Sequence, residues 1–210
     1  MKNVYIVGAG DFGREMEWLL EALPGFGKEF CIKGYLDDDP DALKGKPSDY
    51  KIAGAPKDFE FGNNDSALIT ITNPTFRKQI VTVLKGKVNF FTYLAPDTFI
   101  GKYTSIGEGA IVCPGCYIST NSTIGSFVII NVGSRIGHDC VLESFTSLMA
   151  NVDLGGHARL GEGVFAGTKS TVIPGKTISE GIVIGSGAVV IRNLTKKGTY
   201  FGNPAKLMQF

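Results

Sequence analysis

The chain has 210 residues, with 21 Lys and Arg against 20 Asp and Glu scattered along it and a formal net charge of +1. That balance excludes both a nucleic-acid footprint and an acidic interaction tail, leaving small molecules and other copies of the chain as the expected partners. No run of about eighteen apolar residues occurs and Met1-Lys2 leads directly into a short apolar strand rather than a signal segment, so no membrane span and a cytoplasmic location are expected.

Residues 3–8 form a short buried strand by pattern, and Gly8-Ala9-Gly10-Asp11-Phe12-Gly13 follows at once in the G-x-G-x-x-G spacing. From Phe12, apolar Met16, Leu19, Leu20 and Leu23 fall at helical spacing until Pro24-Gly25. Glycines between a strand and a helix let the backbone approach a phosphate that the first helical amides attract, although they serve a plain strand-to-helix turn equally well. The next strand, Cys31 to Leu36, ends in Asp37-Asp38-Asp39-Pro40. An acidic residue there accepts ribose hydroxyls in nucleotide-binding units, or it simply solvates a turn.

Residues 41–65 are loop-like, with room for a short edge strand. Ala67 to Thr72 is a third strand, Asn73-Pro74 caps and starts a helix carrying Phe76, Ile80, Val81, Val83 and Leu84, and Val88 to Leu94 is a fourth strand. This Rossmann-like βαβ unit, residues 1–94, is about half of a full dinucleotide-binding domain, which favours a nucleotide-linked ligand over NAD.

Residues 95–210 change period. Aliphatic residues recur every sixth position at Ile100, Ile106, Val112, Ile118, Ile124, Ile130, Ile136, Leu142, Leu148, Leu154, Leu160, Ala166, Val172, Ile178, Ile184 and Val190. Hexapeptide repeats of this kind mark a parallel β-helix. Glycine recurs one position after the aliphatic residue and a small or apolar residue four after it. The aliphatic and the i+4 side chains are expected to face inward, with the glycines accommodating unusual backbone angles. In this frame Cys116 of Cys113-Pro-Gly-Cys116 points inward and Pro-Gly forms a corner. With no second cysteine pair, the C-x-x-C spacing marks structure rather than a zinc or redox centre, and Cys31, Cys113, Cys116 and Cys140 are expected as reduced thiols.

The repeat and the tail Gly202-Asn-Pro-Ala-Lys206 resemble the hexapeptide-repeat acyltransferases. The resemblance implies a left-handed parallel β-helix of triangular section, three hexapeptides per coil, assembled as a trimer. The hand rests on that resemblance alone, because β-crossovers otherwise strongly prefer the right-handed form. His138 and His157, the two histidines, lie nineteen residues apart, one coil plus one residue, and should stack along one edge about 4.8 Å apart.

Including its N-terminal unit, nearly the whole chain is similar to nucleotide-sugar N-acetyltransferases of the bacillosamine-pathway type and to NeuD-like sialic acid O-acetyltransferases. Arg135-Ile-Gly-His-Asp-Cys-Val141 resembles the segment bearing their catalytic base, which implies His138 as base and Asp139 as the group that orients it. The same resemblance puts Gly8, Gly10, Asp11, Phe12 and Gly13 beside the substrate's diphosphate and nucleotide, Asp37 and Asp38 at its base or ribose, and Thr72 and Asn73 in the same pocket. Relatives often have Gly-Ala-Ser-Gly-His-Gly in the loop, and the Asp11 found here would repel a phosphate unless it points away. For acetyl-CoA it implies Ser147, where some relatives have a second histidine, then Gly156, His157, Gly167, Thr168, Gly185 along the pantetheine arm, and Lys206 at a phosphate. The implied reaction is acetyl transfer from acetyl-CoA to the amine of a UDP- or dTDP-linked 4-amino-4,6-dideoxy sugar. It proceeds directly in a ternary complex, without metal, at sites between subunits of a homotrimer. Alternatives are O-acetylation of sialic acid or another sugar, and a non-catalytic trimeric nucleotide-binding scaffold.

Overall fold

The computed structural model describes residues 1–208 and divides into two compact units, Met1–Tyr93 and a second beginning at Leu94. The first contains β1 (Lys2–Val7), α1 (Asp11–Glu21), β2 (Phe30–Leu36), β3 (Ile52–Gly54), β4 (Asp65–Ile69), α2 (Pro74–Leu84) and β5 (Asn89–Phe90). All pairings in its sheet are parallel, in the order β3-β2-β1-β4-β5. Every residue of β4 is buried, as expected of a parallel strand covered on both faces. Helix α1 turns Gly13, Met16, Leu19 and Leu20 inward at helical spacing. Strands β2 and β3 lie on one side of β1 while β4 and β5 lie on the other, so the strand order reverses between β1 and β4. The carboxyl ends at such a reversal open the crevice in which α/β sheets bind ligands.

Two expectations for this unit need correction. Residues 88–94 are not one strand: Asn89–Phe90 pairs with Ser66–Ala67, whereas Tyr93–Leu94 joins a sheet of the second unit. The chain changes partners without a Gly or Pro to announce it. The third long strand also ends at Ile69 rather than Thr72. Thr70 still donates its amide to Val7 O, but the Ile71 and Thr72 carbonyls turn to the Arg77 guanidinium at 2.7 and 3.0 Å instead of a neighbouring strand.

From Tyr93–Leu94, which straddles the boundary, to Val189–Val190, two-residue strands recur every six residues and stack into the three parallel faces of the second unit. Each pairs with the strand eighteen residues on, as Tyr117–Ile118 does with Arg135–Ile136, so three hexapeptides make one coil. The first face includes Ile129–Ile130, Ser147–Leu148 and Phe165–Ala166; the second Arg135–Ile136 and Asp153–Leu154; the third Val141–Leu142 and Arg159–Leu160. One buried ladder of i and i+4 side chains, from Val112 to Val190, fills the interior. Ile100, 37% exposed, and the half-buried Ile106 are the exceptions, because their strands end their sheets and have a coil on one side only. The tail strand Thr199–Phe201 extends the first face and folds back on Lys206–Leu207. Among the described residues no helix is long and apolar enough to cross a membrane.

The i+1 glycines serve a different purpose from the one expected. The left-handed backbone falls at i+3, where Asn121, Asp139 and His157 have φ of 57, 60 and 62°. The i+1 glycines allow close approach of coils: a Cβ on Gly137 would lie 2.5 Å from the Gly156 nitrogen in the next coil.

Candidate active site

The corner between the second and third faces carries both histidines. His138 Nδ1 lies 2.7 Å from Asp139 Oδ2, while Asp139 Oδ1 accepts from Asn121 Nδ2 at 2.5 Å one coil earlier. One coil later the His157 amide donates to the His138 carbonyl at 2.8 Å, its Nε2 lies 3.9 Å from Asp139 Oδ2, and the two rings meet edge to face with centroids 5.0 Å apart. Hydrogen bonds from His138 and then Asn121 hold the Asp139 carboxyl below the usual carboxylate range. An ionised Asp139 accepts the Nδ1 proton, so the His138 lone pair resides on Nε2, the arrangement required of a general base. That Nε2 sits over Gly156, where an added Cβ would come within 2.6 Å of it. Among the described residues no hydrogen bond uses the Gly156 amide. Asn121 escaped the sequence reading, although reading every eighteenth residue from it gives Asp139 and then His157.

The substrate residues inferred from sequence gather at the carboxyl ends of β1, β2 and β4. Gly8 has φ +100°, and a Cβ on Gly13 would overlap the Gly8 carbonyl, so both glycines are sterically required. Asp37 braces the loop: Oδ2 accepts the Ala9 amide at 2.8 Å and Oδ1 the Asp39 amide at 3.0 Å. Thr70, missed in the sequence, donates its hydroxyl toward the Val7 and Gly8 carbonyls at 2.8 and 2.9 Å. Gly10 precedes α1 and supplies no side-chain cap, leaving the first-turn amides without one. Asp11 is turned into solvent and paired with Arg14 at 2.5 Å, which offsets the charge that would repel a phosphate. Phe12 is half-buried and Asp38 exposed. Asn73 caps α2 by accepting the Thr75 and Phe76 amides at 3.0 and 3.1 Å, and Thr72 is fixed through its carbonyl by Arg77. Arg77 is fully buried; desolvation lowers its pKa to about 9, and it remains charged at neutral pH.

Residues 3–84 match the family described as the PglD N-terminal domain. Across 99% of this chain and 97% of the relative, 29% of residues are identical to the GDP-perosamine N-acetyltransferase of Escherichia coli O157:H7. Among solved structures, PerB from Caulobacter crescentus, in complex with CoA and GDP-perosamine, superposes with a TM-score of 0.88 at 26% identity over 100% of this chain and 98% of its own. The acetyltransferase domain of PglB from Neisseria gonorrhoeae shares the fold, with a TM-score of 0.89 at 24% identity over 99% and 100%. The chain is an acetyltransferase built on a hexapeptide-repeat solenoid, and its residues 3–84 match the PglD N-terminal family. Its solenoid is accordingly the left-handed β-helix of those enzymes.

In this acetyltransferase the residues expected around the cosubstrate do not share one edge. Gly156 and His157 belong to the His138 corner, whereas Gly167, Thr168 and Gly185 lie on the corner between the first and second faces. One face of six residues, at most about 20 Å, separates these corners. Ser147 departs from its expected position: nine residues from His138 is half a coil, which carries it to the first face, where it is fully buried between Ile129 and Phe165. Its hydroxyl is not open to a thioester arriving at His138 of the same chain. The Phe201 ring lies against Gly185, and Lys206 is exposed on the tail strand. Beside Thr168, Gly133, Asn151, Lys169, Arg135 and Asp153 line a groove of about 560 Å³. Cys113, Cys116 and Cys140 are buried thiols, and burial pushes the Cys116 pKa up to about 11.

Proposed function

We propose that this enzyme transfers the acetyl group of acetyl-CoA to the amine of a nucleoside-diphosphate-linked 4-amino-4,6-dideoxy sugar, with His138 as general base. The observation that carries the mechanism is the His138–Asp139 contact of 2.7 Å, with Nε2 directed over Gly156. His138 Nε2 takes a proton from the sugar nitrogen as that nitrogen bonds to the thioester carbon. The Gly156 amide donates to the developing oxyanion. Collapse breaks the carbon–sulfur bond, and the imidazolium returns its proton to the departing thiolate. The glycine loop and the first amides of α1 receive the diphosphate, and Asp37 and Asp38 stand beside the nucleoside.

GDP joins UDP and dTDP as a nucleotide to test, because two of the relatives that span nearly the whole chain are named for, or bound to, GDP-perosamine. Free-CoA release across GDP-, UDP- and dTDP-linked amino sugars and sialic acid decides among them. Replacing His138 by Ala should lower kcat at least about a hundredfold, and a near-normal rate would remove it as the base. The separation of the His138 corner from Gly167 and Thr168 supports a homotrimer in which one subunit's catalytic corner faces the cosubstrate edge of the next. Light scattering should therefore give three chains per particle.

A further inference from the structure

We propose that His138, Asp139 and His157 form a binding site for a zinc ion, and that zinc there switches the base off. The three residues can each offer a ligand atom such that all three atoms lie within 4.8 Å of one another. Tetrahedral zinc with nitrogen and oxygen ligands at about 2.0–2.1 Å sets neighbouring donors roughly 3.3 Å apart. The distances from Asp139 Oδ2 bracket that spacing, at 2.7 Å to His138 Nδ1 and 3.9 Å to His157 Nε2, and the two imidazole nitrogens, within 4.8 Å of each other, close on the ion by rotation of exposed rings through at most about 1.5 Å. The second oxygen of Asp139 is held by Asn121 at 2.5 Å, which leaves Oδ2 to turn toward the ion.

The His138 and His157 side chains are 56% and 64% exposed, open enough for a hydrated cation to enter. Two imidazoles and one carboxylate suit zinc or cobalt rather than magnesium or calcium, which favour all-oxygen sites. Three protein ligands leave a fourth position for water.

The inhibitory part rests on His138 acting as base. A neutral imidazole has one N–H and one lone pair, so when Nδ1 gives its lone pair to the metal, the proton resides on Nε2. Nε2 then cannot accept the amine proton. The ion is thus an inhibitor, not a cofactor of the transfer.

The test is calorimetric titration of the EDTA-stripped full-length enzyme with zinc chloride, without CoA or sugar, repeated on His157→Asn. Asparagine tolerates the left-handed backbone of position 157, and an unchanged far-UV spectrum and thermal midpoint establish that the variant is folded. Expected are one zinc per chain and at least tenfold weaker binding in the variant; cobalt should give visible ligand-field bands in the wild type that His157→Asn removes. No binding up to millimolar zinc, or equal affinity in the variant, overturns the site. EDTA-reversible loss of acetyl transfer in parallel with binding supports the switch, and undiminished transfer at saturating zinc overturns it. An enzyme inactive on every sugar would count against the proposed function while leaving the metal titration intact.

Discussion

Gly156→Ala is expected to disable His138, the proposed general base, without unfolding the protein. The new Cβ would stand 2.6 Å from His138 Nε2 and 2.8 Å from Cε1, whereas an ordinary contact begins at 3.4 Å, so the ring must retreat by about 0.8 Å. Asp139 anchors the opposite edge of the ring at Nδ1, so retreat either tilts Nε2 away from the reacting amine or lengthens the 2.7 Å hydrogen bond. A misplacement near 1 Å in a reacting group costs on the order of a hundredfold, so kcat should fall tenfold to about a hundredfold. The backbone of Gly156 is not in the left-handed region and the obstructing atoms belong to an exposed ring, so the thermal midpoint should stay within about 2 °C of wild type. Gly137→Ala is the contrasting case. There the Cβ meets the Gly156 main chain at 2.5 Å, and the stack of coils itself must open, so stability should fall along with activity. The assay is free-CoA release under saturating substrates with thermal melts in parallel. A Gly156→Ala enzyme with kcat within about twofold of wild type would refute the placement of Nε2.

Asp139→Asn should lower kcat about tenfold or more by removing the acceptor that keeps the lone pair on Nε2. Because the folded Asp139 carboxyl has a lowered pKa, its contribution to stability is present above the ordinary value of about 3.9 and is lost as pH falls through the folded one. The urea-midpoint difference between wild type and Asp139→Asn should hold steady from pH 7 to about 5 and shrink below about 4; a difference growing on acidification contradicts that sign. Asn73→Ala removes the acceptor for the Thr75 and Phe76 amides and should cost about 1 kcal/mol in urea denaturation even without substrate, a loss that a residue serving only the ligand would not show. In the native state a thiol reagent should reach at most Cys31, the half-buried one of the four cysteines, with the other three reacting after denaturation. Rapid native labelling of Cys113 or Cys116 would contradict their burial in the rod.

The sequence makes the two units and the coil spacing legible because each depends on a local rule that a parallel fold repeats. In the rod, an aliphatic residue at every sixth position has the same task in each coil, so Ile118, Ile136 and Leu154 identify one another. In the N-terminal unit, Gly8, Gly13 and Asn73 are constrained by the backbone geometry of their own turns. What stayed hidden depends on neighbours distant in sequence. Nothing within 88–94 shows that Asn89–Phe90 and Tyr93–Leu94 pair in different sheets, and nothing around Arg77 shows that its charge is buried to satisfy two carbonyls.

The candidate site divides along the same line. His138 and Asp139 are adjacent in sequence, while Asn121 and His157 complete the cluster from the coils before and after, so their relation appears only at a spacing of eighteen. At that spacing Asn121, Asp139 and His157 occupy equivalent left-handed corners, which aims successive side chains from one edge. The resemblance implies His157 for the cosubstrate groove through its neighbour Gly156, and a six-residue frame specifies which edge a residue occupies but not which side chain it meets across coils. The approach of His157 to Asp139 makes it a member of the His138 cluster, which the repeat alone could not reveal. The rod thus places three different residue types on one equivalent position of successive coils, and on the proposed mechanism a change at Asn121 or His157 should reach His138 through Asp139, which contacts Asn121, His138 and His157.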